Sequence, residues 1–206
     1  MKGLRHSCFF ENRGILGFLL LFPIGLAVSF STPMIPEDSF MDSVMDSLGW
    51  GLFLTYASFR LWATMYIGGR KDKQLQTEGP YSITRNPLYL GSFCFALSVA
   101  CFFDSISLLL MVSFASGIYL HLVVKDEEVY MENKFGSEFK EYCQRTPRFI
   151  PSIFRYYHSE DSINVNLPAM KSEAKRLWRA ALLPILAEII MHFRAAPWWP
   201  HWFTLP

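Results

Sequence analysis

Two apolar runs, Leu88 to Phe103 and Ile106 to Val124, are separated only by Asp104-Ser105. A break that short between runs that long leaves one solution, a tight helical hairpin with antiparallel arms. Crossing the hydrocarbon core takes about 20 apolar residues, with roughly 17 to 25 tolerated. Two further runs, Gly14 to Phe30 and Leu48 to Ile67, meet that length. The run from Leu88 is short for a span. Asn86-Pro87 can extend it, because proline suits the first turn of a helix. Hydrophobic residues make up 51 % of the chain and charged residues 18 %, below the roughly 25 % usual in soluble domains. The expected fold class is therefore all-α, a polytopic membrane protein with four to five transmembrane helices.

Loop charges orient these spans. Lys2, Arg5 and Arg13 precede the first run; Glu37, Asp38, Asp42 and Asp46 follow it without any Lys or Arg. Arg70, Lys71, Lys73 and Arg85 lie before the hairpin, and Lys125, Lys134, Lys140, Arg145 and Arg148 lie after it. Four spans satisfy the positive-inside pattern at every loop, with the N-terminus and the loops around 70–86 and 125–150 cytoplasmic. The first run resembles a secretory signal, but Glu11 and Arg13 directly before it favour an uncleaved span. Residues 1–155 form the expected core, and 156–206 a linker plus a final helix. Leu177 to Phe193 is apolar but interrupted by Pro184 and Glu188, and Trp198, Trp199 and Trp202 follow. That segment either spans the bilayer or lies at its interface.

The polar residues are concentrated. Residues 79–91 read Gly-Pro-Tyr-Ser-Ile-Thr-Arg-Asn-Pro-Leu-Tyr-Leu-Gly. A second block holds Glu127-Glu128, Phe135-Gly136 and Pro147-Arg148-Phe149-Ile150-Pro151. In a hairpin the end of the second arm returns beside the start of the first. Glu127 and Glu128 should then lie near Arg85, Asn86 and Tyr89, where one carboxylate can pair with Arg85 or meet a cationic ligand. Tyr81 and Tyr89 can hold an adenine ring or a sulfonium, or can be interfacial tyrosines. Arg60 lies well inside an apolar run, at an insertion cost of about 2.5–3.5 kcal/mol, and either snorkels or meets an anionic headgroup. His121 is a packed residue or a base. Cys94 and Cys101 share one helix face and read as core. No metal-ligand spacing appears. At a net charge of +1, no basic patch interleaved with aromatics points to nucleic acid.

The order Gly-Pro-Tyr-x-x-x-Arg-Asn-Pro-x-Tyr-x-Gly, a helical hairpin, Glu-Glu and then Phe-Gly-x-Glu-Phe-x-x-Tyr resembles the isoprenylcysteine carboxyl methyltransferases and the related phospholipid methyltransferases over about residues 55–152. The resemblance implies an integral membrane enzyme that binds S-adenosylmethionine in a cytoplasmic pocket and takes a lipid or other hydrophobic acceptor from the bilayer. It implies that Lys73, Gln74, Leu75 and Gln76 run along the cofactor, that Tyr81 contacts it, that Asn86, Pro87, Leu88 and Tyr89 turn around it, and that Glu127 meets its charged end. Glu128, Arg85 and Arg60 are the residues expected near the chemistry. Glu128 or His121 would serve as base for an amine acceptor, Arg85 would support the pocket or pair with the cofactor carboxylate, and Arg60 would orient an anionic headgroup. Better-known members carry His at Asn86, and isoprenylcysteine enzymes carry Arg at Val123, so the acceptor here need not be prenylcysteine. The alternatives are a phospholipid N-methyltransferase and a non-catalytic binding protein on the same scaffold.

Overall fold

The computed structural model describes residues 23, 25–32, 35–70, 73–159 and 163–204. Most of the run expected at 14–30 lies outside them. Among the described residues the protein is all-α apart from one short strand pair. Helix α1 covers Phe40–Ile67, the single turn α2 Pro80–Ile83, α3 Pro87–Cys101, α4 Ile106–Phe135, α5 Ser137–Arg145 and α6 Leu167–Ala195. Strands β1 (Ser31–Thr32) and β2 (Phe203–Thr204) pair in parallel. Helix α3 begins at Pro87, where its missing N–H costs nothing.

Among the described residues, α4 is the one helix long and apolar enough to cross a membrane. Its Leu110, Phe114 and Leu122 are more than half exposed. Water would penalise such a surface, whereas lipid would not. Helix α1 starts at Phe40, eight residues before the expected span, and α4 continues eleven residues past Val124. Helix α6 is continuous through both Pro184 and Glu188, the two residues expected to interrupt it.

The chain forms two compact units, one of residues 1–50, 96–127 and 184–206, the other of 51–95 and 128–183. Both units draw on residues from either side of position 155. In the first unit Val28, Ala100, Phe102, Phe103, Leu108, Val112, Ala187 and Met191 form the core. Arg194 is 2 % exposed; its Nε donates to Ser31 O at 2.7 Å and its Nη2 to Ser31 Oγ at 2.8 Å. The α3–α4 turn holds Asp104 at φ +46°, a conformation that Asp tolerates better than most residues. Burial, with Asp42 and Asp46 nearby, pushes the Asp104 carboxyl up to about 8.

In the second unit, Phe53, Tyr56, Cys94 and Ala180 make one core and Ala63, Tyr66 and Tyr81 another. Gly91 lets α3 approach α1 closely, since a Cβ there would stand 3.1 Å from Arg60 Cγ and 3.3 Å from Tyr56 O. Arg60 Nε meets Glu173 Oε1 at 2.5 Å, with the two side chains 11 % and 7 % exposed. This pair joins α1 to α6. Glu173→Met strands the buried Arg60 guanidinium and should destabilise by about 3–5 kcal/mol; Arg60→Met should cost less, because Arg176 Nη1 still reaches Glu173 Oε2 at 3.3 Å. The double variant should lose much less than the sum. Thermal unfolding of all three in detergent measures this, and additive losses would rule out direct coupling.

Candidate active site

The site is built in the second unit, from two segments distant in sequence. Residues 79–86 lead into α3, and residues 142–157 run from the last turn of α5 into the segment that follows it. Main-chain bonds join them: Arg85 N donates to Pro147 O at 2.8 Å, Ser152 N to Ile83 O at 2.9 Å, and Gly79 N to Tyr157 O at 2.9 Å. Side chains add to the seam. Tyr142 Oη donates to Tyr81 O at 2.7 Å, Asn86 Nδ2 to Arg148 O at 3.0 Å, and Thr84 Oγ1 to Phe149 O at 3.2 Å. The Tyr142 phenol is pushed up by burial and stays a neutral donor.

One carboxylate organises the charges along this seam. Glu128, at the start of the last two turns of α4, lies 2.8 Å from Arg85 Nη1. Arg148 grips the same carboxylate with two nitrogens, Nε to Oε1 at 3.1 Å and Nη2 to Oε2. Such a fork fixes orientation as well as charge. Arg85 Nη1 also reaches Cys143 Sγ at 2.8 Å. Burial raises the Cys143 thiol while Arg85 pulls it the other way; the net rise leaves it a thiol, a poor nucleophile.

Beside the seam is a cavity of about 140 Å³, lined by Tyr66, Arg70, Gln74, Leu75, Gln76, Thr77, Glu78, His158 and Ile163. It carries one guanidinium, one carboxylate, two amides and an imidazole on a partly apolar wall. His158 Nδ1 lies 3.4 Å from Glu78 Oε2, and Ser159 Oγ donates to Glu78 Oε1. The His158 ring meets Tyr66 edge-on, with centroids 5.6 Å apart.

The residues singled out from the sequence fall into groups. Gln74, Leu75 and Gln76 line the cavity, and Lys73 is exposed just before them. Arg85 and Glu128 pair as the hairpin argument expects. Asn86 supports the seam through its amide. Tyr81 and Pro87 are buried, and Leu88 packs on the Tyr66–Tyr81 core. Tyr89 is half-buried at the first turn of α3. Glu127 keeps one buried oxygen, Oε2, without a hydrogen-bond partner among the described residues. Arg60, expected at a lipid headgroup, has Glu173 as an internal partner instead. His121 is exposed. Sequence reasoning did not single out Tyr66, Arg70, Glu78 and His158 for the cavity, Arg148 for Glu128, or Glu173 for Arg60. Glu173 gave one signal, a lone acid among Lys171, Lys175, Arg176 and Arg179.

The phospholipid methyltransferase family model matches residues 47–138, which include α3, all of α4 and the stretch lining the cavity between 66 and 78. The nickel-cobalt-cadmium resistance protein NccN of Alcaligenes xylosoxydans is 31 % identical over 174 residues, 82 % of this chain and 79 % of that protein. The cobalt-zinc-cadmium resistance protein CzcN of Cupriavidus metallidurans is 32 % identical over 120 residues, 58 % of this chain and 55 % of that protein. A protein-S-isoprenylcysteine O-methyltransferase of Schizosaccharomyces pombe is 30 % identical over 83 residues, 40 % of this chain and 35 % of that protein. No solved structure matches the chain. The family model and the isoprenylcysteine match support a membrane methyltransferase. The chain belongs to the isoprenylcysteine carboxyl methyltransferase and phospholipid methyltransferase-like family.

Proposed function

We propose that the protein transfers a methyl group from S-adenosylmethionine to a lipophilic acceptor held at the membrane. The observation that carries this reading is the polar cavity on residues 74–78, abutting a seam braced by Glu128. Its residues suit the cofactor's chemistry. Arg70 complements a carboxylate, Glu78 a cationic ammonium or sulfonium, and the Gln74 and Gln76 amides can serve hydroxyl groups. At about 140 Å³, the cavity is smaller than the roughly 300 Å³ of a whole-ligand pocket, so it takes one end of a nucleoside-sized molecule. When bound, the sulfonium supplies an electrophilic methyl group.

The protein's part is then alignment and charge complementarity. Arg85 and Arg148 hold Glu128 in one orientation, which keeps the 79–86 turn and the 142–157 strap in register. Tyr66 forms the aromatic wall, and the Glu78–His158 pair fixes the polar end. An acceptor that is already anionic needs no base. An amine acceptor must lose a proton first, and the His158 imidazole at the cavity is then the group placed to take it. Arg60, neutralised by Glu173, acts in this reading as a positioning residue that holds α1 under Gly91.

Calorimetry in detergent tests the reading. S-Adenosylmethionine should bind the full chain, and Glu78→Gln should weaken binding at least about tenfold, as befits a charged hydrogen bond of about 1.5–3 kcal/mol. Membranes given methyl-labelled donor should carry the label in the lipid fraction. Label in protein instead would identify a prenylcysteine acceptor. Absence of binding would make the chain a non-catalytic scaffold.

A further inference from the structure

We propose that Asp42, Asp46 and Asp104 form a binding site for an oxygen-preferring divalent cation of the Ca²⁺ or Mn²⁺ type. This site belongs to the first unit and is independent of the methyl-transfer reading.

Asp42 and Asp46 are one turn apart on α1 and so share a face. Asp104 is supplied by the α3–α4 turn. One carboxylate oxygen from each can be chosen so that all lie within 4.8 Å of one another. Around a single Ca²⁺, with ligands at 2.3–2.6 Å, oxygens on opposite sides stand about 4.6–5.2 Å apart. Three oxygens spread evenly around one such ion stand about 4.0–4.5 Å apart, so the three carboxylates lie close to the spacing that a single ion needs.

The independent sign of a missing partner is at Asp104. The residue is 5 % exposed, and its Oδ1 is buried with no hydrogen-bond partner among the described residues. A buried carboxylate oxygen left bare is costly. Asp42 accepts the Asp38 N–H on Oδ2 at 3.0 Å, and its side chain stands within hydrogen-bonding reach of Asp104. Glu188 stands beside Asp46 and adds a fourth acid.

The charged groups around the cluster do not discharge it. Arg194 senses Asp104, but its nitrogens are committed to Ser31 O, Ser31 Oγ and Phe103 O. His192 Nδ1 is 2.7 Å from Glu37 Oε1. Among the described residues no ion pair joins a cation to any of the three aspartates. The set offers only oxygen, with no Cys or His, and oxygen sets suit Ca²⁺, Mn²⁺ or Mg²⁺ rather than soft metals.

The test uses Mn²⁺ on the full chain purified in detergent, followed by electron paramagnetic resonance, with Ca²⁺ as competitor. One Mn²⁺ per chain should bind saturably, with dissociation constants reaching about 10⁻⁴–10⁻³ M for a weak site of this kind. Asp104→Asn and Asp42→Asn should each weaken binding at least about tenfold, while Glu138→Gln on α5 leaves it unchanged. Asp42→Asn, at a partly exposed position, keeps the test decisive should Asp104→Asn fail to fold. Saturable binding that is unaltered by both substitutions would overturn the proposal, as would no binding at millimolar Mn²⁺. Binding of Cd²⁺ without Mn²⁺ or Ca²⁺ would overturn the oxygen-ligand assignment.

Discussion

Replacing Glu128 by Gln should destabilise the protein by about 3–5 kcal/mol, because two guanidiniums lose their common counter-charge inside the fold. Arg85 is 16 % exposed at its side chain and Arg148 34 %, so Arg85 carries the larger part. Arg148→Gln should cost less, since Arg85 still neutralises Glu128 and the departing guanidinium was already a third exposed. Thermal unfolding in detergent ranks the two variants. Cofactor affinity in Glu128→Gln should fall together with stability, since the carboxylate holds the seam rather than lining the cavity. Equal losses from Glu128→Gln and Arg148→Gln would mean that Glu128 is not the hub.

Gly79→Ala should be nearly as damaging, through a different cause. Gly79 sits at φ +59°, where a Cβ costs about 1–2 kcal/mol. The added methyl would also fall within the Tyr66 ring, and overpacking of this kind adds about 1–3 kcal/mol. Tyr66 is a wall of the cavity, so pushing the ring aside should reduce cofactor binding beyond what the lost stability explains. Gly51→Ala provides the contrast. A Cβ there meets nothing within 4 Å, and the variant should be no less stable than the parent. Calorimetric affinity and unfolding temperature, measured on both variants, separate strain at Gly79 from a general intolerance of substitution.

What could be read in advance follows from the kind of interaction involved. The α3–α4 hairpin was visible because two polar residues interrupt an apolar run, and chain connectivity then places the Glu128 region beside Arg85. The start of α3 was visible because Pro87 fits only a first turn. Hydropathy reports where lipid would be tolerated and not where a helix stops, so α1 and α4 run beyond the expected spans. Residues 40–47 and 125–135 are polar enough to leave the bilayer, yet they keep helical backbone bonds. The seam itself was hidden. Pro147 O, Tyr157 O and Arg148 O are main-chain acceptors that every residue possesses, so no side-chain pattern advertises them. Glu173 was hidden because its partner lies 113 positions away. The Asp42–Asp46–Asp104 cluster was partly visible as acids before and between apolar runs, but only the fold brings Asp104 to the other two.

The strap from 147 to 157 is sewn to its neighbour largely through peptide groups, while Ile150, Ile153 and Phe154 point outward at 83 %, 76 % and 101 % exposure. Fastening and appearance are therefore decoupled in this stretch. Natural drift can exchange those three greasy side chains for others without loosening a single stitch, so descendants of this chain can acquire a new taste in hydrophobic companions and inherit the seat beneath unchanged.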